Sequence, residues 1–173
     1  MLRLPRLADA DDLAESFEDP EVMRFIGGEI VSKADVPEVV QRWLDRWREN
    51  SLGHFVLERQ DDGHVLGRVG FVVWDTRTWT QSTFADAGEH AQPELGWALA
   101  RAHWGRGYAT EAALAARAWG YRERGIRRLI SLITPENVAS QRLAQRLGAR
   151  PTSAVTLPNA TKAVIWEHPG DSG

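Results

Sequence analysis

The sequence contains no cysteine, which excludes disulfide bonds, thiolate metal ligands and a cysteine nucleophile among its 173 residues. Basic residues are not in excess, and the formal net charge of -3 gives no general attraction to nucleic acid or to a membrane surface. The opening residues MLRLPRLADADDL reach acidic positions before any apolar run long enough for a signal peptide or a membrane span. We therefore expect a cytoplasmic protein with neither a nucleic-acid nor a membrane partner.

The sequence also lacks histidines at the short spacings that are typical of metal sites, so we expect no metal. Hydrophobic residues make up 43% of the chain, which suits one domain with a single core over residues 1–173. The histidines are scattered and lie at His54, His64, His90, His103 and His168.

Hydrophobic periodicity predicts a mixed α/β order of strand, two helices, three strands, helix, strand, helix and two strands. Asp9 is a candidate N-cap for the first helix. The polar segment 75–92 is predicted to be a long loop, and structureless loops of that length are often functional. The predicted helices cover 9–17, 34–51, 107–124 and 138–147, and the predicted strands lie in 1–7, 53–74 (a hairpin), 94–101, 128–133, 153–157 and 162–168.

The segment HWGRGYATEA, residues 103–112, lies where a predicted strand ends and a long predicted helix begins. Gly105 and Gly107 flank Arg106 there, and glycine tolerates positive φ and close approach to the backbone. A helix start presents unpaired N–H groups and a partial positive charge. The motif therefore predicts an anion site, with a phosphate as the anion, although a GxG pattern alone also occurs in simple turns.

Three stretches together resemble the GNAT superfamily of acetyl-CoA-dependent N-acetyltransferases, and most closely its RimJ/RimL-like branch. They are LRLPRLADADDLAESFEDPEVMRFIGG, ELGWALARAHWGRGYATEAALAARAWGY and RRLISLITPENVASQRLAQRLGAR. The resemblance implies a GNAT-like α/β fold with a mixed sheet of about seven strands, flanked by about four helices. Most of those strands are expected to be antiparallel, and the sheet is expected to splay between its fourth and fifth strands.

The resemblance implies acetyl-CoA as co-substrate and assigns the residues that bind it. The pyrophosphate is expected on the loop 103–109, held mainly by backbone N–H groups. The pantetheine arm is expected to pair with backbone at the end of the preceding strand, and Asn137 is expected beside the cofactor. The expected cofactor-binding residues are Leu99, Ala100, Arg101, Trp104, Gly105, Arg106, Gly107, Tyr108, Ala109 and Asn137.

Two residues are candidates for catalysis, Glu94 and Ser140. Glu94 begins a strand whose other residues are largely apolar, so an inward-facing acid there is unusual unless it functions as a base; the alternative is a position at the sheet edge in water. The resemblance places Ser140 near the CoA sulfur, and Ala144 stands where many relatives carry a tyrosine acid. Asn137 and Ser140 also suit plain capping roles at a helix start.

These residues predict an N-acetyltransferase that moves an acetyl group to a primary amine by direct attack in a ternary complex. The acceptor is a protein N-terminus or a small-molecule amine, and Trp79 and Phe84 in the segment 75–92 are candidates for lining its pocket. The alternative is a non-catalytic acyl-CoA-binding regulatory module. A homodimer is compatible with either function.

Overall fold

The computed structural model describes residues 1–170 and has a mixed α/β architecture. Its helices are α1 (Ala10–Phe17), α2 (Pro20–Met23), α3 (Val36–Asn50), α4 (Phe84–Ala87), α5 (Tyr108–Arg124) and α6 (Val138–Arg146). Its strands are β1 (Leu2–Arg3), β2 (His54–Glu58), β3 (Val65–Asp75), β4 (Thr80–Gln81), β5 (Ala91–Leu99), β6 (Ile130–Ile133), β7 (Arg150–Thr156) and β8 (Lys162–Glu167). No helix within residues 1–170 has both the length and the apolar character needed to cross a membrane.

The strands form one sheet in the order β1-β2-β3-β5-β6-β8-β7, and the short β4 pairs with β3. The pairs β1–β2, β2–β3, β3–β4, β6–β8 and β7–β8 are antiparallel, whereas β5 and β6 run parallel and are in register at Glu94 and Ile130. The mixed, mostly antiparallel sheet that the resemblance implied is confirmed, with eight strands among the described residues instead of about seven.

The chain divides into two compact units. Among the described residues, the first unit comprises 1–70 and 97–112, and the second comprises 71–96 and 113–170. In the first unit, α3 buries Val36, Val39, Val40 and Trp43, which recur at helical spacing and therefore share one face. This face joins the core made with α1 and the start of the sheet.

Phe71 is one of the largest fully buried side chains of the second unit, together with Leu95 and Leu129. The centroids of the Phe71 and Trp119 rings are 6.1 Å apart, and the ring planes are tilted by 40°. Gly120 brings the backbone of α5 against the Phe71 ring, because a Cβ there would meet Phe71 Cζ at 2.8 Å. Phe71 therefore packs against both the Trp119 ring and the Gly120 backbone in the core of this unit.

Three local predictions are wrong. The segment 75–92 is not a structureless loop, because it contains β4, α4, a 3-10 turn at Gly88–His90 and the first residues of β5. The strand predicted over 94–101 runs instead from Ala91 to Leu99, and a 3-10 turn at Arg101–His103 follows it. Asp9 does not cap α1, because its buried carboxylate accepts hydrogen bonds from the Arg3 guanidinium and from the Arg6 backbone N–H.

Candidate active site

The loop between β5 and α5 has the backbone conformation that its glycines predicted. Gly105 has φ +72° and Gly107 has φ +83°, in a region that residues with a Cβ rarely adopt. A Cβ at either position would meet no atom within 4 Å, so the backbone conformation and not lack of space calls for glycine. The Gly107 carbonyl then accepts from the N–H groups of Thr110 and Glu111, which starts the helix.

This helix start has the features of an anion site. The first N–H groups of an α-helix have no partner within the helix, and the helix dipole places partial positive charge beside them. Gly105, Arg106 and Gly107 are all exposed, so an anion can reach this backbone from solvent. The loop can therefore hold a phosphate through N–H groups, and the same segment carries the Arg106 guanidinium.

Backbone groups at the end of β5 already make hydrogen bonds within the first unit. The Ala100 N–H donates to the Leu66 carbonyl at 2.9 Å, and the Trp104 indole Nε1–H donates to the Leu99 carbonyl at 2.8 Å. Leu99 and Ala100 are buried, whereas Arg101 is exposed. The Arg101 carbonyl in turn accepts from the Trp104 N–H at 3.1 Å.

The Arg101 side chain forms an ion pair with Asp19 at 3.0 Å. Asp19 also caps α2, where its Oδ1 accepts from the Glu21 N–H at 2.9 Å. The contact links the end of β5 to the start of α2. Because Arg101 is 63% exposed, this pair contributes little to stability.

The first unit also contains a cleft. It is small, with a cavity volume of ≈ 10 Å³, and its walls come from α1, α2, β3 and β5. Its lining is mostly apolar, so it favours the carbon skeleton of a ligand over a charged group. The lining residues are Leu13, Ser16, Phe17, Val22, Met23, Ile26, Gly67, Arg68 and Ala98.

The second unit holds the candidate base, Glu94, on β5. Its Oε2 accepts from the Trp74 indole Nε1–H at 2.6 Å, and its Oε1 accepts from the Leu132 backbone N–H at 3.1 Å. Glu94 is half-buried, so it does not lie at a fully solvated edge. The two hydrogen bonds fix the orientation of the carboxylate, which is what a general base requires.

The second unit also holds Asn137 and Ser140, at the start of α6. The Asn137 Oδ1 accepts from the Ser140 N–H at 3.1 Å, so the predicted capping role of Asn137 is confirmed. Ser140 is half-buried in the first turn of the helix. Asn137 therefore holds the backbone that carries the candidate Ser140 hydroxyl.

Most acidic groups of the segment 75–92 bind other residues of the same segment. Asp75 is buried and pairs with the Arg77 guanidinium, which holds the pKa of that carboxyl at about 2. Asp86 bonds Thr83, the residue that caps α4. Trp79 is half-buried and has φ +54°, a backbone conformation that is unusual for a residue other than glycine.

Sequence reasoning missed Trp74, which holds Glu94. Trp74 and Glu94 are far apart along the chain, and only the adjacency of β3 and β5 in the sheet brings them together. The strand predictions placed both residues in strands, but strand order cannot be read from hydrophobic periodicity.

The chain is similar in sequence to a known family of enzymes. The model of the family described as "Acetyltransferase (GNAT) domain" matches residues 1–150. The chain belongs to the GNAT acetyltransferase family. Membership implies acetyl-CoA-dependent acetyl transfer, and it confirms the superfamily that the sequence resembled.

Two bacterial relatives of this GNAT chain are similar over most of their length. YkkB of Bacillus subtilis (strain 168), itself uncharacterised, is 31% identical over 152 residues, which cover 86% of this chain and 79% of YkkB. The uncharacterised N-acetyltransferase p20 of Bacillus licheniformis is 29% identical over 149 residues, which cover 84% of this chain and 76% of p20.

Solved structures share the GNAT fold. A GNAT-family acetyltransferase from Bordetella pertussis has a TM-score of 0.77 at 28% identity, covering 97% of this chain and 94% of that chain. The aminoglycoside acetyltransferase AAC(6')-Ib, solved with coenzyme A, has a TM-score of 0.75 at 18% identity, covering 97% and 93%. The ribosomal-protein-S5-alanine acetyltransferase of Vibrio fischeri has a TM-score of 0.70 at 16% identity, covering 99% and 93%. At these last two identities the likeness shows the fold alone.

Proposed function

We propose that this GNAT protein is an N-acetyltransferase of the RimJ/RimL-like branch, which moves an acetyl group from acetyl-CoA to a primary amine by direct attack in a ternary complex. The observation that carries the proposal is the pair of positive φ angles at Gly105 and Gly107, directly before α5. In this proposal the loop binds the pyrophosphate of acetyl-CoA through backbone N–H groups from Gly105 to Ala109, because the Trp104 N–H already donates to the Arg101 carbonyl at 3.1 Å.

The acceptor amine must lose a proton before it attacks. At pH 7 deprotonation costs about 1.4 kcal/mol for an α-amine with a pKa near 8, and roughly 4.6 kcal/mol for a lysine with a pKa near 10.4. An α-amine or another weakly basic amine therefore needs less help from the enzyme. We assign the base role to Glu94, acting through a water molecule, because its carboxylate is oriented by Trp74 and Leu132.

The amine nitrogen then attacks the thioester carbonyl, and the CoA thiolate leaves. The protein has no cysteine, so no acetyl-cysteine intermediate forms on it. We assign Ser140 to donate a hydrogen bond or a proton to the departing thiolate, with Asn137 fixing the helix start that carries it. Backbone near Arg101 is assigned to the pantetheine arm and to the thioester carbonyl.

We assign the apolar cleft between α1 and α2 to the carbon skeleton of the acceptor. Its lining suits an apolar group next to the amine, such as the first side chain of a peptide. Two fold neighbours are named for their acceptors. One is a ribosomal-protein-S5-alanine acetyltransferase and the other is an aminoglycoside acetyltransferase, so their names supply two acceptor classes to compare. The cost of deprotonation favours the peptide α-amine.

The test is acetyl transfer by the purified protein, followed by intact mass of each acceptor and by release of free CoA thiol. The panel contains short peptides with N-terminal alanine or serine, the same peptides with a blocked N-terminus and one lysine, a polyamine and an aminoglycoside. We expect acetylation of the free N-terminal peptides and none of the blocked ones. Binding of acetyl-CoA without transfer to any acceptor would favour the regulatory module instead.

A further inference from the structure

Glu15, His64 and His103 converge in the first unit. Each offers one ligand atom, and these atoms all lie within 4.8 Å of one another. Glu15 lies on α1, His64 directly precedes β3, and His103 ends the 3-10 turn after β5. We propose that these three residues form a binding site for a divalent metal ion of the zinc type.

The surroundings of the His103 ring are a second observation in favour of a metal site. It is only 7% exposed, and neither of its ring nitrogens has a hydrogen-bond partner in the structure of residues 1–170. A buried polar group without a partner is costly, so such groups usually serve a purpose. A neutral imidazole nitrogen is a good ligand for a transition metal, and binding one would satisfy an orphaned atom.

The carboxylate of Asp12 lies beside His64. The His64 Nδ1 is 3.8 Å from Asp12 Oδ2, which is too long for a hydrogen bond but close enough for the carboxylate to attract a cation held at the ring. The rings of His64 and His103 are in edge contact, with centroids 5.6 Å apart. The two imidazoles are therefore close enough to share one ion after a small adjustment, since ligand atoms around zinc are roughly 3.3 Å apart.

The charges around the cluster can accommodate a divalent cation. The carboxylates of Glu15 and Asp12 supply negative charge. Arg59 and Arg106 also lie near the cluster, but the charge of Arg59 is offset by its ion pair with Asp62. Two imidazoles and one carboxylate are typical ligands of zinc and of other divalent transition metals, and not of magnesium or calcium.

The bound ion would join three elements of the first unit, α1, the start of β3 and the turn that leads into the glycine loop. His103 directly precedes Trp104 and Gly105, so the ion would hold the first residue of that loop. This proposal departs from the expectation of no metal drawn from histidine spacing. The ligands are far apart in sequence, and only the fold brings them together.

The experiment titrates metal-free wild-type protein with Zn²⁺, measures the affinity by calorimetry and follows the histidine ring signals by ¹⁵N NMR. We expect one ion per chain, a higher melting temperature and shifts of the His64 and His103 rings. Glu15→Gln, His64→Gln and His103→Asn should each weaken Zn²⁺ binding at least about tenfold. Mg²⁺ should bind far more weakly than Zn²⁺.

His90→Gln is the matched control, because His90 and Glu89 form a similar but solvated pair at 3.8 Å outside the cluster. It should leave the Zn²⁺ affinity unchanged. Glu15 is exposed, so Glu15→Gln should fold even if the substitution of buried His103 does not. Unchanged Zn²⁺ affinity in Glu15→Gln and His64→Gln, or equal binding of Mg²⁺, would overturn the proposal.

Discussion

The indole Nε1–H of Trp74 donates a hydrogen bond of 2.6 Å to Oε2 of Glu94. A hydrogen bond to a charged group is worth about 1.5–3 kcal/mol, enough to hold the carboxylate in one orientation. The Leu132 N–H holds the other oxygen. The candidate base is therefore positioned by a tryptophan on β3 and by backbone of β6.

Glu94→Gln removes the base but keeps an acceptor for Trp74. We expect kcat to fall about 100-fold, because general base catalysis contributes at least that much, while the Kd for acetyl-CoA stays nearly unchanged. Steady-state kinetics with the best acceptor of the panel, together with calorimetry for acetyl-CoA, measure both quantities. Trp74→Phe should lower kcat roughly tenfold without changing the acetyl-CoA Kd. Wild-type kcat in Glu94→Gln would remove this residue from the mechanism.

Gly107→Val should abolish the rise in melting temperature that acetyl-CoA produces in the wild-type protein. A β-branched residue at φ +83° costs roughly 1–2 kcal/mol or distorts the backbone, and the N–H groups then no longer face the phosphate. Gly125→Val is the matched control, because Gly125 has φ +62° and open space but follows the other end of α5. It should destabilise the protein and keep the acetyl-CoA response. Equal responses in the two variants would exclude the loop from the binding site.

The sequence predicted those features that depend on local patterns. The order of the longer helices and strands follows from hydrophobic periodicity, which missed the short β4 and α4. The positive φ angles of Gly105 and Gly107 follow from residue type at a strand-to-helix turn. Asn137 caps α6 because asparagine is among the best N-caps.

The features that depend on tertiary structure could not be predicted. Asp9 has the residue type of an N-cap, but the Arg3 guanidinium binds its carboxylate more strongly than a cap interaction would. Trp74 meets Glu94 only because β3 and β5 are neighbours in the sheet. Local rules concern residues a few positions apart, so they do not reach such pairs.

Ser140→Ala should lower kcat roughly tenfold and leave the Kd for acetyl-CoA unchanged, because only the departing thiolate loses a donor. Asn137→Ser tests the capping role of Asn137 separately from its role in cofactor binding. Serine caps a helix nearly as well as asparagine but lacks the side-chain amide. It should keep the stability of the protein within a few tenths of a kcal/mol, whereas Asn137→Ala should cost about 1 kcal/mol. Chemical denaturation and acetyl-CoA calorimetry measure these effects. A wild-type kcat in Ser140→Ala would leave this serine as a structural residue.

Trp79→Ala should raise the KM of the amine several-fold and leave the KM of acetyl-CoA nearly unchanged. The indole is half-buried in a segment with exposed Phe84, so it offers an apolar face to an acceptor. Kinetics with each substrate varied in turn test this expectation. Loss of stability with unchanged KM values would assign Trp79 to the core.

The last prediction concerns the pH dependence of stability and His168. Ser131 Oγ–H donates to the Leu95 carbonyl at 2.6 Å, so His168 Nε2–H donates to Ser131 Oγ at 2.9 Å. Burial, aided by the charge of Arg117, lowers the pKa of His168 to about 4 from its ordinary value of 6.5. The folded protein therefore keeps this imidazole neutral where the unfolded chain protonates it.

Above pH 6.5 both states are neutral at His168, and its contribution does not change with pH. As the pH falls from 6.5 to about 4, the unfolded chain binds a proton that the folded protein does not, so stability decreases by about 3 kcal/mol. In His168→Gln the side-chain amide can still donate to Ser131 but does not titrate, so this part of the pH dependence should disappear. Urea unfolding of both proteins between pH 7 and pH 4 measures the difference in their stability. Buried His54 is present in both proteins, so its contribution cancels in that difference. The wild-type slope in His168→Gln would show that His168 is protonated equally in both states.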